Sequence, residues 1–94
     1  MQGRWTTPAV QDLEEITLYI EKDSETAARE IASALFDAGN SLDVMSSRGR
    51  LGQAVGTREL VIPGLPYILV YKVTKAAVHI LRIDHTARVR PKVQ

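Results

Sequence analysis

The sequence contains two histidines, His79 and His85, and histidine is the residue type that most often serves as a general acid or base, so proton transfer is the first chemistry to consider. The chain has no cysteine, which removes both a disulfide scaffold and a thiolate zinc site. The two histidines have no recognisable metal-ligand spacing. We therefore expect no metal site and no cofactor.

A glycine-rich segment, residues 46–56, is a second candidate for chemistry because glycines let the backbone approach a ligand. It holds Gly49, Gly52 and Gly56 together with Arg48 and Arg50. No Lys-Ser/Thr pair ends the segment, which argues against a phosphate-binding loop. We predict a flexible basic loop.

Charge is divided unevenly along the chain. Residues 1–47 carry nine acids and three bases, a net charge of −6, whereas residues 48–94 carry nine bases and two acids, a net charge of +7. One interpretation is an acidic helical half and a basic sheet half that serve solubility. The other is a C-terminal surface that faces nucleic acid or an acidic partner. Composition alone leaves both open.

The length and hydropathy of the chain indicate one small domain. Its 94 residues are 45% hydrophobic and 24% charged, the balance of an ordinary globular protein. The apolar run Ile68–Tyr71, which Tyr67 extends by one residue, is far shorter than the ~20 residues that span a bilayer. The N-terminus lacks the apolar block of a signal peptide. We predict a single cytoplasmic domain over residues 1–94.

Helical periodicity dominates the first half. A short edge strand is expected at residues 4–6, and Thr7-Pro8 predicts a helix start with Thr7 as the cap. Asp23-Ser24 ends this helix and caps a second one. The second helix has apolar residues at steps of three and four from Ala28 to Met45. This pattern favours a helical hairpin over a free coiled coil, because it lasts under three heptads.

From residue 57 the period changes to two, which is typical of strands. We predict strands at Thr57–Ile62, Tyr67–Val73 and Val78–His85, joined by tight turns and followed by a basic tail, Ala87–Gln94. The predicted fold is α+β, with a short N-terminal strand and a helical hairpin packed on an antiparallel C-terminal sheet, in the order β-α-α-β-β-β.

Three segments carry a resemblance to a known family. They are Gly56-Thr57-Arg58-Glu59-Leu60-Val61-Ile62, Pro66-Tyr67-Ile68-Leu69-Val70-Tyr71-Lys72-Val73 and Val78-His79-Ile80-Leu81-Arg82-Ile83-Asp84-His85. Three upstream features agree with them: an aromatic residue before the first helix (Trp5), the helical pattern of Ala9, Asp12, Leu13, Ile16, Tyr19 and Ile20, and a Gly-Arg-x-Gly loop that begins at Gly49. In this order, and over residues 4–91, they resemble the RelE/ParE superfamily of toxins from type II toxin–antitoxin modules.

The resemblance implies the same fold and a cognate antitoxin as partner, so a hetero-oligomer with the antitoxin is expected. It also implies one of two activities. RelE-like members cleave mRNA in the ribosomal A site without metal, and ParE-like members poison DNA gyrase. A third possibility is a module component that has lost its toxicity and acts only by binding.

Metal-free RNA cleavage needs a general base, a general acid and cations that stabilise the charged transition state. If the chain is RelE-like, the candidates for this catalysis are His85, Arg82 and Arg58. Structural alternatives are a strand-end histidine bonded to a loop for His85, a sheet-surface residue for His79 and an ion pair within the sheet for Arg58.

Two departures favour the ParE-like activity. Ribonuclease members place an arginine before Leu-Val-Tyr, where this chain has Ile68, and several place a tyrosine after the histidine, where it has Thr86. We therefore expect gyrase poisoning, with mRNA cleavage as the alternative. The expected target-binding residues are Arg50, Arg82, His85, Arg88 and Arg90. We expect the antitoxin to lay a helix on an apolar surface and to bring acids to Arg82, Arg88 and Arg90.

Overall fold

A computed structural model of the chain describes residues 2–86. The elements in chain order are β1 (Gln2–Trp5), α1 (Thr7–Glu21), α2 (Glu25–Ser41), β2 (Arg50–Leu51), β3 (Arg58–Val61), β4 (Tyr67–Val73) and β5 (Ala77–His85). The predicted α+β class and the order of strand, two helices and three-stranded meander are confirmed, with one strand added. The predicted basic tail, with Arg88 and Arg90, lies outside the described residues.

The five strands form one mixed sheet in the order β1-β5-β4-β3-β2. Strands β2 to β5 are antiparallel neighbours, whereas β1 runs parallel to β5, with Trp5 opposite Ile80. The predicted antiparallel C-terminal sheet is confirmed, and the N-terminal strand joins it in parallel, which makes the whole sheet mixed. A parallel pair requires a long crossover, and the two helices with the rest of the meander supply it. The predicted N-terminal edge strand is confirmed.

The predicted flexible loop at residues 46–56 is corrected, because it contains β2. Arg50 lies opposite Glu59 and Leu51 opposite Arg58. The Gly52 backbone N–H donates to the Thr57 carbonyl at 2.8 Å and closes the hairpin. Gly56 has a φ of +82°, a backbone conformation that glycine adopts without strain. The glycines of this segment therefore build a hairpin.

Hydroxyl side chains begin both helices. The cap of α1 is Thr6, one residue before the predicted Thr7, and its Oγ1 accepts from the Ala9 N–H. Thr6 Oγ1 also donates to the Ile80 carbonyl at 2.7 Å, so one side chain joins the helix start to β5. Ser24 caps α2 as predicted and accepts from the Ala27 N–H at 3.0 Å. Such caps contribute about 1 kcal/mol each.

Both helices cover one face of the sheet, with α1 packed on α2 and β5. The core between the layers is formed by apolar side chains of both: Ala9, Ile16, Leu35, Leu42, Leu60, Ile62, Tyr67, Leu69, Tyr71, Val78, Ile80 and Ile83. No helix among residues 2–86 is long and apolar enough to cross a membrane.

A β-bulge in β5 decides which side chains face the helices. Tyr71 lies opposite Ile80 and Val70 opposite Arg82, which leaves Leu81 without a partner on β4. Because strand side chains alternate between faces, this extra residue exchanges the faces for the rest of β5. Ile83 and His85 therefore face the helices, and Arg82 lies on the opposite face.

Candidate functional site

Arg82 is held by a carboxylate from α1. Its Nε donates to Asp12 Oδ2 at 2.7 Å and its Nη2 to Asp12 Oδ1 at 3.0 Å. The Asp12 side chain is only 12% exposed, whereas that of Arg82 is 58% exposed. The hydrogen bond to Asp12, together with its negative charge, raises the pKa of Arg82 above its ordinary value. Arg82 is thus a permanently charged group whose charge is already paired.

The same carboxylate closes the edge of β5. Strand β1 ends at Trp5, opposite Ile80, so it does not reach the later residues of β5. There the Ile83 N–H donates to Asp12 Oδ2 at 2.9 Å. Asp12 therefore takes the place of a neighbouring strand and fixes the segment that leads to His85.

His85 is the last residue of β5 and lies on the side of the sheet that faces the helices. It lies opposite Tyr67, and the two rings meet edge to face with centroids 5.4 Å apart. The Thr86 N–H donates to the Pro66 carbonyl at 2.8 Å and ties the end of β5 to the β3–β4 turn. This half-buried, aromatic-packed position is compatible with a structural role for His85 as well as a functional one.

Arg58 is bound at the other end of the sheet. Its Nη1 donates to the Gly49 carbonyl at 2.8 Å, a backbone acceptor in place of the ion pair considered from the sequence. The Tyr71 hydroxyl accepts from the Gly49 N–H and donates to the Ser46 carbonyl, both at 2.8 Å. A Cβ on Gly49 would lie 2.7 Å from that hydroxyl oxygen. The absence of a side chain at Gly49 therefore lets the loop backbone contact the Tyr71 hydroxyl.

Arg50 forms a cross-strand ion pair. Its Nη2 lies 3.1 Å from Glu59 Oε1, and its Nε donates to the same oxygen at 3.2 Å. The charge of this predicted target-binding residue is therefore also compensated within the sheet. The two other cations expected to bind the target, Arg88 and Arg90, lie outside the described residues.

The three candidates for RNA cleavage do not converge. Arg58, on β3, lies opposite Tyr71 of β4, whereas His85, on β5, lies opposite Tyr67 of β4. Four residues along β4 and two strand spacings separate these positions by about 16 Å. The Arg82 side chain is held at the edge of β5 by Asp12 of α1. No group of three or more His, Cys, Asp or Glu side chains that could hold a metal occurs within residues 2–86.

Sequence reasoning missed the roles of Asp12 and Tyr71. The helical pattern placed Asp12 with Glu14 and Glu15 on the polar faces of α1, and nothing local distinguishes it from them. The sequence pattern predicts Tyr71 as one more apolar residue of a central strand. In the structure it is fully buried, and its hydroxyl also binds the loop before β2. The available signal was the resemblance, whose quoted pattern contained Asp12, Gly49 and Tyr71.

Comparison with known proteins assigns the family. Residues 4–90 match the family described as ParE toxin of type II toxin-antitoxin system, parDE. "Putative toxin Y4kP" of Sinorhizobium fredii is 38% identical over 90 residues, which cover 96% of this chain and 93% of that protein. "Toxin RelE2" of Caulobacter vibrioides is 42% identical over 84 residues, which cover 89% of this chain and 93% of that protein.

A solved structure agrees with these relatives. A chain of the chromosomal ParDE toxin–antitoxin system from P. aeruginosa superposes with a TM-score of 0.81 at 26% identity. The alignment covers 90% of this chain and 95% of that one. The fold, the relatives and the match over nearly the whole sequence lead to one conclusion: this chain belongs to the ParE toxin family of type II toxin–antitoxin systems.

Proposed function

We propose that this toxin arrests growth by poisoning DNA gyrase, and that its cognate antitoxin silences it. The observation that carries the proposal is the separation of the candidates for RNA cleavage. A general base and the cations that stabilise a phosphorane must all lie within about 3 Å of one phosphate. The backbone positions of Arg58 and His85 are instead about 16 Å apart by strand geometry, and Arg58 is bound to the Gly49 carbonyl at the far end of the sheet.

Two further observations support binding over catalysis. The position that carries an arginine in ribonuclease members is Ile68, whose side chain is buried, so that position presents no cation to a substrate. Arg82 already donates both Nε and Nη2 to Asp12. Its exposed remainder suits recognition of a charged surface better than the transient charge of a transition state.

On this proposal the toxin acts by holding gyrase in its DNA-cleaved state. The contacts we assign to the target are Arg82 and His85 at the end of β5, with Arg88 and Arg90 beyond the described residues and Arg50 at the far edge. The net charge of +7 in residues 48–94 favours a partner that includes DNA. Gyrase is cytoplasmic, and so is the place we assign to this toxin.

The second candidate is ribosome-dependent mRNA cleavage. It is favoured by the 42% identical relative named "Toxin RelE2" and by the presence of His85, since histidine is the residue type that most often serves as a general acid or base. In that mechanism His85 would act as base or acid, and Arg82 and Arg58 would supply the charge. Substrate-bound ribosomes would then have to draw together groups that the free toxin keeps apart.

Measuring macromolecular synthesis after induction separates the candidates. The toxin is expressed from a tight promoter, and incorporation of labelled thymidine and labelled methionine is followed over the first minutes. Gyrase poisoning predicts that DNA synthesis falls first, with induction of the DNA-damage response. An early stop in translation with cleaved mRNA would support the RNase instead. Unaffected growth with folded toxin would indicate a module component without toxicity.

Substitution of His85 gives an independent test. As a recognition residue, His85→Gln is expected to reduce toxic potency by less than 10-fold. As the acid or base of RNA cleavage, its loss would reduce the rate by about 10²–10⁴. Comparison with His79→Gln on the same strand controls for general effects on the sheet.

A further inference from the structure

The most exposed large apolar side chains of the described residues are concentrated in one segment. Val55 is 103% exposed, Val44 88% and Leu51 78%, and Met45 in the same segment is 53% exposed. We call Val44, Met45, Arg48, Leu51 and Val55 the 44–55 surface. Several exposed apolar side chains on one short segment are a feature of binding sites, whereas scattered single ones are ordinary.

The segment that carries this surface is anchored to the sheet. The Met45 N–H donates to the Ser41 carbonyl at 3.1 Å, and the Arg48 N–H donates to the Met45 carbonyl at 3.1 Å. Ser46 and Gly49 are bound to the sheet, because the Tyr71 hydroxyl donates to the Ser46 carbonyl and accepts from the Gly49 N–H. The apolar side chains are therefore presented by a pre-formed backbone, which lowers the entropy cost of binding.

The segment itself carries only positive charge. Residues 44–58 contain three arginines and no acid, and the acids Asp43 and Glu59 flank them. Arg50 is compensated by Glu59, but Arg48 donates to the Ser41 hydroxyl at 3.0 Å and Arg58 to the Gly49 carbonyl. Both of these acceptors are neutral. An apolar segment that also carries carboxylates is the partner that this combination fits.

We propose that the 44–55 surface is a docking site for an acidic, apolar segment of the cognate antitoxin. The proposal rests on membership of a toxin–antitoxin module and is independent of the gyrase target. It differs from the expectation that the acids of the antitoxin meet Arg82, because the Nε and Nη2 of that arginine already donate to Asp12. Arg48 is the cation that the antitoxin would bind in its place.

The test measures binding of the purified antitoxin encoded beside this toxin, by biolayer interferometry, without gyrase. The toxin variants are Leu51→Ser, Val44→Ser and Arg48→Glu. The matched controls are Leu18→Ser, at a leucine that is 61% exposed on α1, and Lys22→Glu at the end of the same helix. All replaced side chains are exposed, so circular dichroism and thermal melts should match the wild type.

Each substitution on the 44–55 surface is expected to weaken binding at least 10-fold, and the controls less than 3-fold, as for loss of one buried apolar group or one complementary charge. Arg48→Glu should also flatten the salt dependence of the association rate. The proposal is overturned if the surface variants bind like the controls. It is equally overturned if they keep antitoxin affinity but lose toxicity, or only change self-association, because the surface would then serve the target or a second copy.

Discussion

Replacement of Asp12 is the sharpest perturbation that the fold offers. Its carboxylate accepts from the Ile83 N–H at 2.9 Å and from two nitrogens of Arg82 at 2.7 and 3.0 Å. Asp12→Ala removes all three hydrogen bonds. A part-buried backbone N–H without an acceptor costs about 1–3 kcal/mol, and an exposed ion pair contributes about 0.2–1 kcal/mol. We expect a loss of about 2–3 kcal/mol in the free energy of unfolding.

The two parts of this loss are separable. Asp12→Asn keeps a carbonyl oxygen for Ile83 and loses the charge, so it should cost about 1 kcal/mol. Arg82→Ala should cost less than 1 kcal/mol, because the strand edge stays closed. In the double variant the Arg82 substitution should add almost nothing to Asp12→Ala, since its partner is already gone.

Urea unfolding followed by circular dichroism measures these energies, and Glu14→Ala on the exposed side of α1 is the matched control. Thermal midpoints should fall by about 4–8 °C for each kcal/mol lost in a domain of this size. The reasoning is refuted if Asp12→Ala costs less than 0.5 kcal/mol. It is also refuted if Asp12→Ala and Arg82→Ala cost the same, because the backbone contact to Ile83 would then contribute nothing.

Two other contacts predict stability changes. Tyr71→Phe deletes the hydroxyl that binds Ser46 and Gly49, and should cost about 1–3 kcal/mol with faster amide exchange at residues 46–49; unchanged stability and exchange would contradict the anchoring role. Gly39→Ala places a Cβ 2.5 Å from Cζ2 of Trp5, and the strain should cost about 1–3 kcal/mol, against the gain of about 1 kcal/mol that alanine brings to a helix. A shifted emission of the single tryptophan with a lower melting temperature is expected, and a more stable variant would count against this packing.

The elements of this fold were predictable because each one follows a local rule. Apolar periodicity set both helices and three strands, and Ser24 set the start of α2. The first helix begins one residue earlier than predicted, at a cap whose hydroxyl is also bonded to Ile80. A tertiary contact therefore decided between two adjacent threonines that local capping rules treat alike.

The site was harder to predict because it depends on non-local geometry. A single unpaired residue, Leu81, places Arg82 and His85 on the faces they occupy, and alternation counted from Ile80 gives the opposite assignment. Asp12 meets Arg82 only after α1 has folded back over β5. The sequence contains both residues, but nothing in their spacing predicts the contact.

The central claim is tested most directly with purified proteins. Toxin freed of its antitoxin is incubated with gyrase, supercoiled plasmid and ATP, and the DNA is analysed after detergent and protease treatment. The account predicts linear DNA that rises with toxin concentration and disappears when the antitoxin is added. Folded toxin that leaves the plasmid intact, while cleaving mRNA on translating ribosomes, would contradict it.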